Sequence, residues 1–321
     1  MQMEFPFIDI SMKRKDSKMS TYVVGDIHGC YEEFIDLVEK IEKQDASAHF
    51  ILVGDIIDRG PDSIKMLRWA MDSCNKPDGK FELILGNHEY EKISLLERYF
   101  SFCEDGLANS MEEFCRQRQD DSYHFGRTLA EEHISDEEIK QYCRFFRLLP
   151  IYKELDVTIQ GKRQHFIIVH GGLRIDFVNE DETFKKSTLS RKGLLFEARK
   201  DGHNTIEKIV WDRCSVALRR TIVIHGHTPT CDDPNIEGRI GFGQKEVNVD
   251  GGCVFRSKAY PNANLAALRL EDLEEFYRYD PGPITEVNKE KKDQLLKRKR
   301  RPSKKEREAK MKEAEQWLGL V

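Results

Sequence analysis

The chain has 321 residues, 39% of them hydrophobic and 34% charged, with a formal net charge of −5. That size and balance describe a soluble globular protein with one large domain plus appendages. They exclude a membrane-spanning one, because no apolar run approaches the length that crosses a bilayer. In Met1–Met19 the apolar Phe5-Pro6-Phe7-Ile8 is followed by Lys13, Arg14 and Lys15, the wrong order for a secretory signal, so the chain reads as cytoplasmic. Residues 1–20 form an N-terminal extension, and translation is expected to start at Met19, just before the first strand.

The first predicted strand, Thr21 to Gly25, runs into Gly-Asp-Ile-His-Gly at Gly25 to Gly29. Tyr31 to Lys43 then carries Phe34, Leu37, Val38 and Ile41 at helical spacing, one apolar stripe. A second strand, Phe50 to Gly54, leads into Gly-Asp-Ile-Ile-Asp-Arg-Gly at Gly54 to Gly60. Pro61 suits a first helical position, and Ile64, Leu67 and Met71 make the next stripe. The third strand, Phe81 to Gly86, ends at Gly-Asn-His-Glu, Gly86 to Glu89. Asp26, Asp55 and Asn87 thus recur 29 and then 32 residues apart, about one βαβ unit per step. Right-handed crossovers place these strands in one parallel sheet with their carboxyl ends on a common edge.

From Asn87 to His165 the interval swells to 78 residues. Ile93, Leu96 and Phe100 continue a helical face, and Ser135-Asp136-Glu137-Glu138 reads as a capping box opening a helix that ends before Pro150. This helical insertion, about 90–150, either roofs the site and chooses substrates or adds a packing layer. His165 to Val169 is a strand running into His170-Gly171-Gly172, and Asn179 to Asn204 is a charged loop. Thr221 to Ile224 runs into His-Gly-His-Thr-Pro at His225 to Pro229. His49, His124, His133, His165 and His203 lie outside the motifs and read as surface or edge residues. Beyond the main domain, residues 21–286, a basic and partly helical tail spans 287–321. Lys289 to Lys310 carries twelve Lys/Arg against four Asp/Glu. Lys297 to Arg301 suits RNA or an acidic partner, set against a merely solvated tail, and Ser303 and Glu306 suggest a helix over Lys304 to Leu318.

The five motif segments set oxygen and imidazole donors beside glycines at strand ends, where open α/β sheets build their sites. Hard oxygen and borderline nitrogen donors without thiolates suit Mn²⁺, Fe or Zn²⁺. Two such ions clamp the attacking and leaving oxygens of an in-line displacement at phosphorus, with one carboxylate bridging them. Asp55, on the middle strand in sequence, is the natural bridge. The eight cysteines contain no CxxC pair and read as reduced, mostly buried thiols.

These segments, with Ile209 to Arg213 (Ile-Val-Trp-Asp-Arg) and Asn248 to Phe255 (Asn-Val-Asp-Gly-Gly-Cys-Val-Phe), resemble the calcineurin-like metallophosphoesterases. The likeness is to their phosphoprotein phosphatase branch, in particular its small phage and bacterial members. It covers roughly Thr21 to Arg269 and implies a four-layer α/β/β/α sandwich. Carried over by position, it makes Asp26 and His28 ligands of one divalent ion, Asp55 the bridge, and Asn87, His170 and His227 ligands of the second. It makes His88 the general acid oriented by Asp58, and Arg59 and Arg213 the phosphate-binding groups. His227 is preferred to His225 by the family pattern, and Pro229 stands where many relatives outside this branch have another metal-binding histidine. The implied activity is phosphomonoester hydrolysis by a di-metal-bound hydroxide, with Mn²⁺ as the expected ion and phosphoserine or phosphothreonine proteins as substrates. Bacterial dinucleoside tetraphosphatases share the same ligands, so a nucleotide substrate is the alternative. A nucleic-acid or protein-binding module with a vestigial core is a third reading, opposed by the intact ligand set.

Overall fold

In the computed structural model, alternation along the strands sorts side chains to opposite faces, as the two-residue period of β-structure requires. Residues 19–117, 124–185, 205–213, 216 and 218–296 are described. In β1 (Thr21–Val24) and β2 (His49–Leu52), Tyr22, Val24, Phe50 and Leu52 enter one apolar cluster, while Val23 and Ile51 enter another. The same split recurs in β5 (Lys162–Val169), with Ile167 and Val169 on one side and Phe166 and Ile168 on the other. The cluster of Val23, Ile51, Phe166 and Ile168 also takes in Ile222 and Ile224 of β6 (Ile222–His225), and it lies between two sheets. The other cluster covers their outer faces with helices.

The remaining strands are β3 (Phe81–Leu83), β4 (Tyr152–Ile159), β7 (Gly241–Phe242), β8 (Glu246–Asn248), β9 (Ala266–Arg269) and β10 (Glu274–Tyr277). One sheet has the order β10-β9-β1-β2-β3, the other β4-β5-β6-β8-β7. β1, β2 and β3 pair in parallel, as do β5, β6 and β8. This is a mixed α/β fold of two sheets flanked by helices, the expected sandwich.

Helix α1 (Tyr31–Glu42) buries the expected Phe34, Leu37, Val38 and Ile41. Helix α2 (Ser63–Ser73) starts two residues after Pro61, because Ser63 Oγ accepts from the Asp58 amide at 2.9 Å and keeps the preceding segment in a turn. The insertion holds α3 (Asn87–Glu104), α4 (Met111–Gln117), α5 (His124–Glu131) and α6 (Asp136–Leu148). Ser135 caps α6 by accepting from the Glu138 amide. Tyr99, Phe114, Phe125, Tyr142 and Phe146 are fully buried, which gives the insertion an aromatic core continuous with the outer-face cluster.

Helix α7 (Thr205–Trp211) leads to Arg213, and α8 (Glu286–Leu296) lies at the far edge of the second sheet. Within α8, Asn288 is buried, accepts from the Phe242 amide and donates to the Ile240 carbonyl. The start of the basic tail is therefore tied to β7. Residues 1–18 of the extension, 186–204 of the charged loop with His203, and the tail from Lys297, including the basic run to Arg301 and the helix expected over 304–318, lie outside the described residues. No helix among the described residues is long and apolar enough to cross a membrane.

Candidate metal centre

Both sheets deliver the motif residues at the carboxyl ends of parallel strands. Asp26 and His28 follow β1, Asp55, Asp58 and Arg59 follow β2, and Asn87 and His88 open α3 just after β3. From the second sheet come His170 after β5 and His227 after β6. Backbone contacts lock the segments together: the His28 amide donates to Asp55 O at 2.8 Å and the Gly226 amide to His170 O at 2.9 Å. His28, Asp55, Asp58, Arg59 and His227 all have φ between 48° and 69°. Left-handed backbone is costly for side chains larger than glycine, and its concentration here marks strain held by the surrounding fold. Glycines make the approach possible, since a Cβ on Gly86 would stand 2.3 Å from Asp55 Oδ1 and one on Gly226 2.1 Å from Asp26 Oδ1.

Two groups of donors converge, His28–Asp55–His88 and Asp55–His170–His227, with the ligand atoms in each within 4.8 Å of one another. Asp55 belongs to both. Its Oδ2 lies 3.7 Å from His28 Nε2 and 3.3 Å from His170 Nε2. His28 Nδ1 lies 2.9 Å from Ile57 O and His170 Nδ1 2.9 Å from Val53 O. A carbonyl only accepts, so both rings carry a proton on Nδ1 and present Nε2 to Asp55. Burial would lower the His170 pKa, but the Asp55 carboxylate outweighs it and carries it above the ordinary histidine value. Asn87 Oδ1 is 2.8 Å from both His170 Nε2 and His227 Nδ1. Burial holds His28 down to about 3 and His227 to about 4, so both are neutral imidazoles, the form that binds cations. Asp26 is buried at the same edge but turns its carboxylate to the His227 amide, 3.0 Å from Oδ2. His225 is engaged elsewhere, with Nε2 at 2.9 Å from Glu246 Oε1 and Nδ1 at 3.0 Å from Gly226 O.

His88 Nδ1 donates to Asp58 Oδ2 at 2.6 Å, while its Nε2 stands 3.9 Å from Asp55 Oδ2. Burial alone would lower the His88 pKa, but the Asp55 and Asp58 carboxylates outweigh it and carry it above the ordinary histidine value. Asp58 Oδ2 also receives Lys92 Nζ at 2.7 Å. Burial would raise Asp58, yet His88 and Lys92 together keep it below the usual carboxylate range. Arg59 donates from Nη1 to His28 Nε2 at 2.5 Å, so this hydrogen bond and a cation on the same nitrogen exclude each other. Arg213 is exposed, and its charge helps to lower His227; the adjacent Asp212 pairs with Arg174 at 3.5 Å.

Three buried groups carry no role in the sequence reading. Glu89 accepts from the amides of Asp55, Ile56 and Gly86 at 2.8, 2.9 and 3.0 Å, which makes it the floor under the bridge. Lys92 is the second partner of Asp58. Asp250 accepts from the Gly252 amide at 2.9 Å and lies close enough to raise Asp26. Glu89 and Asp250 stand within the quoted motifs, but only the fold shows that they face the same site. His49, read as an edge residue, is instead buried and lies 2.8 Å from Glu82. Burial and mutual repulsion lift Asp26, push Glu89 up to about 7 and lift Asp250 to about 6. Four buried carboxylates facing a cluster of imidazoles fit divalent cations, whose charge would hold those acids ionised.

The family model for calcineurin-like phosphoesterases matches residues 19–231. The chain is 24% identical over 264 residues to the asymmetrical bis(5'-nucleosyl)-tetraphosphatase PrpE of Bacillus subtilis, covering 80% of this chain and 93% of the relative. It is 28% identical over 265 residues to the same-named protein of Geobacillus thermodenitrificans, covering 78% and 90%. A solved protein serine/threonine phosphatase from Saccharomyces cerevisiae superimposes with a TM-score of 0.44 and 14% identity, covering 83% of this chain and 82% of that one. The matched model spans every motif segment that supplies the clustered donors, and the chain belongs to the calcineurin-like phosphoesterase family, a metal-dependent hydrolase of the metallophosphoesterase type.

Proposed function

We propose that the chain hydrolyses dinucleoside tetraphosphates, the second of the substrate classes that the motifs admit. The observation that carries this reading is the likeness to bis(5'-nucleosyl)-tetraphosphatases along 78–80% of the chain and at least nine-tenths of the relatives. Phosphoserine and phosphothreonine proteins, the first expectation from the motifs, share the same phosphoryl chemistry and are the competing substrate class.

In this reading Asp26, His28, Asp55, Asn87, His170 and His227 hold two divalent cations, with Mn²⁺ the preferred pair. The cations supply Lewis acidity and charge neutralisation at phosphorus. Arg59 and Arg213 grip phosphoryl oxygens, for which a planar guanidinium is better shaped than an ammonium. The raised pKa of His88 suits it to carry a proton on Nε2 near neutral pH and to pass it to the departing oxygen. Asp58 accepts the Nδ1 proton and fixes the ring, and Lys92 keeps Asp58 ionised.

Kinetics with diadenosine tetraphosphate and with a phosphoserine peptide, each in Mn²⁺, test the proposal. A kcat/KM at least about ten-fold higher for the dinucleotide is expected. The reverse preference would return the substrate to the phosphoprotein class, and no metal-dependent turnover of either would favour a vestigial core.

A further inference from the structure

Phe255 and Tyr260 are the exposed aromatic residues among the large apolar side chains that the described surface leaves in water. Both lie in the loop that follows Asp250, and Phe255 adjoins the candidate phosphate site: the Arg59 guanidinium stands 5.7 Å from its ring centroid. The same Arg59 donates to His28. An aromatic ring, an arginine and a candidate metal-ligand imidazole therefore follow one another from the rim inward.

The ring is presented by a fixed backbone. Asp250 receives the Gly252 amide, Gly252 takes φ of 76°, and the Phe255 amide closes a tight turn onto Gly252 O at 2.9 Å. Just beyond it, Arg256 is tied down, with Nη1 at 2.8 Å from Ala263 O and its guanidinium 4.0 Å from the centroid of Tyr279. Tyr260 is turned toward Asp232 in the segment after His227, on the same rim. An exposed phenylalanine forgoes the burial that usually stabilises it. Held rigidly next to a phosphate-binding arginine, it offers a flat apolar face and loses little freedom when another flat group covers it.

We propose that Phe255 is the platform on which a nucleobase of the substrate stacks, with Arg59 linking that platform to the phosphate site. This rests on the dinucleotide reading above and deepens it by assigning the base a place. Stacking reads a π-face rather than a hydrogen-bond pattern, so the platform accepts purines generally and prefers them to pyrimidines through contact area.

The test is equilibrium binding by calorimetry to the Mn²⁺-loaded protein, using β,γ-methylene-ATP and methylenebisphosphonate, which keep a phosphonate chain with and without a nucleoside. Phe255→Ala should raise the Kd for the nucleotide about ten-fold while moving that of the bisphosphonate much less, and Phe255→Trp should restore nucleotide binding. In parallel, kcat/KM for diadenosine tetraphosphate should fall about ten-fold in the alanine variant through KM. If the two Kd values move together, or neither moves, Phe255 is not a base platform, and a wild-type enzyme that still hydrolyses the dinucleotide leaves the substrate reading intact. A wild type that hydrolyses none overturns the substrate reading, while the Kd ratio still decides the platform.

Discussion

Single side chains in this site are held by second partners that fix their protonation and aim. His88 illustrates this, with Asp58 on Nδ1 and Nε2 left facing Asp55. His88→Asn should retain bound metal, measured by elemental analysis, yet lower kcat about 10²-fold or more on alkyl phosphoesters. The loss should be smaller with p-nitrophenyl phosphate, whose leaving group needs no proton. Arg59 blocks His28 Nε2 in the structure, so Arg59→Ala should weaken inhibition by inorganic phosphate without weakening Mn²⁺ binding. A fall in Mn²⁺ affinity would show that Arg59 supports the ligands rather than the substrate. Gly226 is tighter still: an added methyl group would meet the Asp26 carboxylate at 2.1 Å. Gly226→Ala should therefore fold, at a cost of about 1–3 kcal/mol, but bind Mn²⁺ more weakly, and titration calorimetry reads the difference.

At the scale of elements, the two sheets are joined by charge as well as by their apolar seam. Glu82 of β3 takes His49 of β2 at 2.8 Å and also pairs with the buried Lys153 of β4. Burial would raise the Glu82 pKa, but His49 and Lys153 outweigh it and hold the carboxyl below its ordinary value. A depressed folded-state value contributes stability above the unfolded pKa, near about 4.3, and that contribution is lost as pH falls through the folded value. Glu82→Gln should accordingly cost about 1–3 kcal/mol at neutral pH, since it removes a charged hydrogen-bond partner from the buried Lys153 and from His49. Urea unfolding across pH checks the sign, because the gap from wild type should close in acid. A gap that persists there would assign the loss to packing instead.

For the molecule as a whole, the C-terminal segment is tied in at Asn288. A chain ending at Thr285 should have a lower urea midpoint than the full chain, because it loses Asn288's bonds to Phe242 and Ile240. Asn288→Ala should account for about 2 kcal/mol of that loss, the cost of unpaired buried amide groups. This tie was hidden in the sequence, where Asn288 opens a run of lysines and its partners lie 46 and 48 residues away. The strand-end motifs were legible because they are local: an apolar run, a glycine and a ligand stand within a few residues, and their period already implies βαβ units. Helix α1 was legible for the same reason, its stripe being written at a fixed spacing. Glu89, Lys92, Asp250 and Phe255 were not, because being the floor of Asp55, the partner of Asp58, the neighbour of Asp26 or the rim beside Arg59 depends on which strand ends meet. By itself the sequence determined the family of chemistry, since ligand types and their order survive without coordinates. Only the tertiary structure decided which buried charges face one another and which aromatic ring is left exposed beside them, because Coulomb interaction and burial depend on distance through space rather than along the chain.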